Sequence, residues 1–93
     1  MPDITEADYF VINNNNTYKF KYEREKNHFL EHEKESYNVF GYNLDDNAQT
    51  GLINIGTVKV EYDNDSDSII FKDEHDETVT LSNYFIVCFS TMA

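Results

Sequence analysis

Hydrophobic and polar residues alternate most clearly in the second half of the chain. Thr57-Val58-Lys59-Val60-Glu61-Tyr62 has the two-residue period of a half-buried strand. Asp63 to Asp67 is a polar cluster of turn residues, and Ser68-Ile69-Ile70-Phe71-Lys72 reads as the returning strand of an antiparallel hairpin. A second acidic turn follows at Asp73-Glu74-His75-Asp76-Glu77. Thr78 to Leu81 and Tyr84 to Phe89, rich in β-branched and aromatic residues, then predict one or two further strands.

The first half is patterned less sharply. Thr17 to Tyr22 alternates and predicts a strand, and Asn13 to Asn16 before it reads as a loop, because asparagine tolerates left-handed backbone. Arg24 to Ser36 is dense in Glu and Lys, which favours an exposed helix. Only Phe29 and Leu30 are available to anchor that helix, so strand pairing stays open there. Tyr37 to Tyr42 predicts another short strand and Asp45 to Gly51 a loop. Together these elements predict an α+β fold: an antiparallel sheet of about four to six strands with one or two short helices.

Length and composition narrow the picture. Ninety-three residues predict one domain, spanning 1–93, with a modest core and no room for an elaborate cleft. Seven tyrosines and seven phenylalanines supply large buriable rings, which separates the chain from disordered acidic tails. The single cysteine, Cys88, excludes an internal disulfide framework and sits in an apolar run as a small hydrophobe. No segment is long and apolar enough to span a membrane, and Met1 to Ala7 lacks the features of a signal peptide, so the expected location is cytoplasmic.

Charge changes the picture most. Eighteen carboxylates face seven Lys and Arg, a net charge of −11, of which residues 1–40 carry −3 and residues 41–93 carry −8. Such a balance opposes direct binding to nucleic acid or to an anionic membrane and favours a cationic protein partner.

Three constellations bear on chemistry. Asp63, Asp65 and Asp67, closed by Glu74 with Ile70 at the apolar eighth place, resemble the calcium loop of the EF-hand family. Ser68 stands where that loop has glycine, and the flanks read as strands instead of helices, so an acidic hairpin turn is the preferred reading and no metal or other cofactor is expected. His28-Phe29-Leu30-Glu31-His32 resembles the zinc motif of the inverzincin peptidases. The chain is too short for their third ligand and cleft, and a solvated charged helix is the preferred reading. The glycines, Gly41, Gly51 and Gly56, form no phosphate loop, and Cys88 within an apolar strand is inert as a nucleophile, so no enzyme is expected.

The carboxylates themselves remain. Glu61, Asp63, Asp65 and Asp67 form one cluster, and Asp73, Glu74, Asp76 and Glu77 a second. Successive hairpins place the two at opposite ends of the strands, about 17–20 Å apart. Alternate side chains along a strand repeat at about 6.6–6.8 Å, close to successive phosphates on one DNA strand, so Arg and Lys of a DNA-binding groove would meet carboxylates in place of phosphates. Short, acidic, rich in aromatics and asparagine and without a catalytic motif, the chain resembles in general character the small phage-encoded DNA-mimic inhibitors of anti-CRISPR and anti-restriction type. Its asparagine usage fits an AT-rich genome. The resemblance implies a basic protein partner, a nuclease or effector complex in the host cytoplasm, but carries over no residue; the charge distribution itself makes the two clusters the expected contact, with Tyr62 or Tyr84 as anchors. The competing readings are an immunity protein or antitoxin against a basic toxin, a small calcium-binding module, a structural component of an assembly, and a surface that is acidic only for solubility.

Overall fold

The computed structural model describes residues 8–46 and 51–91. Six strands, β1 (Tyr9–Asn14), β2 (Thr17–Phe20), β3 (Ser36–Asn43), β4 (Ile53–Asp63), β5 (Ser68–Lys72) and β6 (Tyr84–Thr91), close into a barrel in the order β1-β2-β5-β4-β3-β6. Every pairing is antiparallel. One α-helix, α1 (Glu23–Glu31), joins β2 to β3, and a 3₁₀ turn covers Leu44–Asp46. The expected antiparallel sheet is present with six strands. Its closure into a barrel is the feature that the alternation did not announce.

The hairpin expected between residues 57–62 and 68–72 forms as β4–β5, with Asp63 opposite Ser68 and Lys59 opposite Lys72. The Asn run divides differently from its reading as a loop. Asn13 and Asn14 belong to β1, while Asn15 and Asn16 make a two-residue turn with φ of 51° and 63°. Two successive left-handed residues match the right-handed strand twist, and asparagine accepts that conformation at lower cost than most side chains. The strand predicted over Thr17–Tyr22 ends at Phe20, where the chain turns into α1.

Thr78 to Leu81 is not a strand. A single bridge joins Thr78 to Lys72, and the Val79 amide donates to the Phe71 carbonyl at 2.8 Å. That segment runs beside β5 only briefly, beyond the Tyr18–Ile69 pair that joins β5 to β2, since the chain must cross to reach β6, which pairs with β1 and β3. Within Asp45–Gly51, residues 47–50 lie outside the described residues.

The open alternative over residues 24–36 resolves as a helix to Glu31 followed by an irregular return. Glu23 and Glu25 in the first turn suit the positive end of the helix. Glu25 lies three residues past the Tyr22 cap and its carboxylate reaches back to the Tyr22 backbone, one half of a capping box, since the Tyr22 side chain makes no cap bond. The same carboxylate accepts the Phe10 amide of β1, so one side chain fixes both the start of the helix and its seat on the barrel. Phe29, fully buried, is its apolar anchor; Leu30 points to solvent.

The core is aromatic. Tyr9, Phe29, Tyr37 and Phe89 are almost wholly excluded from water, with ring centroids 5.1 Å apart for Tyr9–Phe89 and Tyr37–Phe89 and 5.6 Å for Tyr9–Phe29. Burial pushes the Tyr37 phenol up to about 12. Two register shifts bend the sheet around this cluster. One lies between Val39 and Phe40 against β4, the other between Phe40 and Gly41 against β6. Phe40 lies between them and Gly41 follows it, where a Cβ would stand 2.4 Å from the Phe85 carbonyl oxygen.

Candidate acidic interface

The carboxylates of the first cluster are divided between construction and display. The Asp63 side chain accepts the Asp65 amide at 3.1 Å and the Ser66 hydroxyl at 2.8 Å, so it shapes the turn that follows β4. Asp67, in left-handed backbone, accepts the Tyr62 hydroxyl and lies 3.6 Å from Lys26 of α1. Tyr62's hydroxyl and Lys26's charge hold its carboxyl below the ordinary range. Lys26 also lies 5.3 Å from the centre of the Tyr62 ring. Glu61 is paired with Lys72 at 2.8 Å. Asp65 alone of this cluster is exposed without an ion pair or carboxylate hydrogen bond among the described residues.

The second cluster repeats the division. Asp73 accepts the amides of His75 at 2.8 Å and Glu77 at 3.0 Å, which lowers its pKa and closes the turn. Asp76 takes left-handed backbone within it. Glu74, Asp76 and Glu77 project to solvent, Glu74 being 3.6 Å from His75.

The two clusters do lie at opposite ends of β5. A five-residue strand spans only about 13 Å between its terminal Cα atoms, less than the expected 17–20 Å. The row of exposed side chains along the hairpin is not purely anionic either. Lys59 and Glu61 alternate along β4, and Lys72 lies opposite Lys59 on β5. Negative charge is therefore carried by turns and loops more than by a strand.

Two carboxylates outside both clusters belong to the same surface. Glu33 and Glu35, in the return from α1 to β3, line one groove with Lys34, Lys59, Glu61 and Asp76, four acids to two lysines. Glu35 lies 3.5 Å from Lys59. Sequence pattern missed them because the Glu-rich stretch reads as the outer face of a helix. The helix ends at Glu31, and the residues beyond it fold against β4. Tyr62 and Tyr84, expected as anchors, are both half-buried against the core and offer only part of a ring to a partner.

The other two constellations are also placed. Strand β5 lies between Asp67 and Glu74, so the residues resembling a calcium loop do not form one loop, and Ser68 stands in extended strand. His28 on α1 and His32 at its C-cap have ring centres 4.7 Å apart, and Glu31 lies 3.9 Å from His32. Among the described residues no three His, Cys, Asp or Glu side chains are arranged to hold a metal ion. Cys88 is buried, and burial raises its thiol to about 11. Among the described residues no helix is long and apolar enough to cross a membrane.

The uncharged parts of the molecule complete the electrostatic layout. No Asp or Glu occurs in residues 9–22, 36–44, 47–60 or 78–93. The acid-free stretches supply β1, β2, β3, β6 and the first part of β4. Among the described residues the acids are Asp8, those of α1 and its return, Asp45 and Asp46, and those from Glu61 through the β4–β5 turn and in the 73–77 turn. Comparison with protein-family models, with curated proteins and with solved structures finds no match.

Proposed function

We propose that this chain acts by binding and not by catalysis, as an acidic inhibitor that occupies the basic nucleic-acid-binding surface of a nuclease, in the manner of the anti-CRISPR and anti-restriction DNA mimics, in the cytoplasm where such nucleases work. One observation carries the reading: in a chain of net charge −11, Asp65, Glu74, Asp76 and Glu77 are held outward on hydrogen-bonded turns. Asp63 and Asp73 fix the backbones that carry them, so less side-chain and loop freedom is lost on binding. Glu33, Glu35 and Glu61 extend the surface along the groove. Arginine and lysine of a phosphate-binding site would meet these carboxylates through charge-assisted hydrogen bonds. Association would be fast at low ionic strength and slow steeply with salt.

The test is capture of the target by tagged protein at low salt from a lysate containing restriction and CRISPR nucleases, followed by elution with duplex DNA. The expected result is one nucleic-acid-binding protein, released by DNA and inhibited stoichiometrically in its cleavage assay. The combined Asp65→Asn, Glu74→Gln, Asp76→Asn, Glu77→Gln variant should associate at least about tenfold more slowly. A small basic protein that DNA fails to displace would move the assignment to an immunity protein or antitoxin, and no capture would leave the surface a solubilising one.

A further inference from the structure

The histidine pair at the end of α1 is not used by the acidic surface. Backbone sets its spacing: the His32 amide donates to the His28 carbonyl at 3.0 Å, the one-turn bond of an α-helix, although His32 itself is the C-cap and has left helical geometry. The two rings stand 4.7 Å apart between centres, with their planes inclined at 46°. His28 is half-buried, its ring centre 6.0 Å from that of Tyr9, whereas His32 is exposed. One atom of the pair is orphaned: His28 Nδ1 is shut off from water and has no hydrogen-bond partner among the described residues. A buried ring nitrogen in that state calls for a water or an ion. Beside the pair, Glu31 Oε2 lies 3.9 Å from His32 Nε2, on an exposed side chain free to move closer.

We propose that His28 and His32 are the two protein nitrogens of a zinc site, with Glu31 as an oxygen ligand and water completing the tetrahedron. Zinc–nitrogen bonds of about 2.0–2.1 Å put the ring centres of two imidazoles on one tetrahedral ion about 5 Å apart, and the rings already have nearly that spacing. A plain ring contact would explain the spacing and leave Nδ1 orphaned; an ion accounts for both, since either imidazole nitrogen can be the ligand. Two nitrogens select a borderline ion such as zinc over calcium or magnesium, which take oxygen ligands. The local field adds to this. Glu31 and Glu33 flank His32, the negative end of the helix is here, and the whole chain carries −11; Lys34 is the opposing charge in the same stretch. With only two nitrogens the site binds and does not hydrolyse. Bound zinc would tie the C-cap to the last turn of α1, a helix whose buried residues are Glu25 and Phe29, and so fix the start of the return that carries Glu33 and Glu35.

The site stands independently of the inhibitor reading, and zinc chloride alone tests it. Titration of the full chain at pH about 7.5, where imidazole is neutral, should show one saturable site by calorimetry. In imidazole NMR spectra the His28 and His32 signals should move while those of His75, beside Glu74, stay in place. His32→Gln, at an exposed position, should bind at least about tenfold more weakly with an unchanged circular dichroism spectrum. Glu31→Gln keeps both nitrogens and should weaken binding less. Acidification through pH about 6.5 should release the ion as protons take its ligands. Excess magnesium, which occupies carboxylates, should not displace it. No saturable binding, equal binding by His32→Gln, or displacement by magnesium would overturn the proposal, the last two by placing the ion on the acidic turns.

Discussion

Among single residues, Glu25 binds the most distant parts together, since its carboxylate holds the Tyr22 cap and the Phe10 amide while being 8% exposed. Burial, the largest influence, raises its pKa above the ordinary value of 4.5 despite those bonds. A raised carboxyl binds its proton more tightly in the folded chain, so its contribution to stability is fullest below pH about 4.5 and is lost as pH rises through the folded value. Asp67 and Asp73 have the opposite sign: their lowered values give stability that is present above 3.8 and lost on acidification. Glu25→Gln keeps an acceptor for Phe10 and removes the charge. Urea unfolding of both proteins from pH 4 to pH 7 should therefore show glutamine gaining on glutamate as pH rises. Glu25→Ala removes the cap and leaves the Phe10 amide without its acceptor, with an expected loss of about 1–2 kcal/mol at any pH in that range.

Elements were legible in the sequence where local pattern and tertiary environment agreed. The β4–β5 hairpin was readable because one face of each strand packs on the core and the other meets water, so alternation survives. Strand β1 went unrecognised: Phe10 and Ile12 point outward, so Tyr9 to Ile12 is an unbroken apolar run. Helix α1 stayed ambiguous because its attachment is one phenylalanine and one buried glutamate, a combination no hydrophobic period can express. The acidic surface was half legible: both turns were visible in the sequence, but which carboxylates face inward depends on Lys26, Lys72 and Tyr62 from other elements or other strand positions. Barrel closure depends on bulges and one glycine, which local periodicity does not encode. Two predictions belong here. Asn15→Ala and Asn16→Ala each put a residue without asparagine's tolerance of left-handed backbone at φ of 51° and 63°, and each should cost about 1 kcal/mol in chemical denaturation. Gly41→Ala places a carbon 2.4 Å from the Phe85 carbonyl oxygen and 2.8 Å from Ile55, and backbone cannot yield as a side-chain tip does. Its expected cost is about 1–3 kcal/mol, read as a lower urea midpoint with an unchanged slope.

For the molecule as a whole, two electrostatic effects compete, and salt decides between them. Local pairs such as Lys72–Glu61 and Lys26–Asp67 stabilise the fold and are weakened by screening. Self-repulsion among eighteen carboxylates facing seven cations opposes the compact state and is relieved by screening. The pairs are partly exposed, and such pairs contribute a median of about 0–1 kcal/mol each, whereas repulsion acts over every acidic turn within a Debye length of about 10 Å at 0.1 M salt. Repulsion should dominate. The urea midpoint is therefore expected to rise as sodium chloride is increased from low to physiological strength and beyond. Sodium chloride is the salt to use, because sulfate would strengthen apolar burial independently of charge. The Asp65→Asn, Glu74→Gln, Asp76→Asn, Glu77→Gln variant, which loses four charges that make no ion pair to Lys or Arg among the described residues, should be more stable than wild type at low salt and should approach it at high salt. A midpoint that falls with salt in both proteins would instead place the electrostatic balance in the internal pairs. The outward carboxylates would then cost the fold little, and their concentration on the turns would need no partner to offset it.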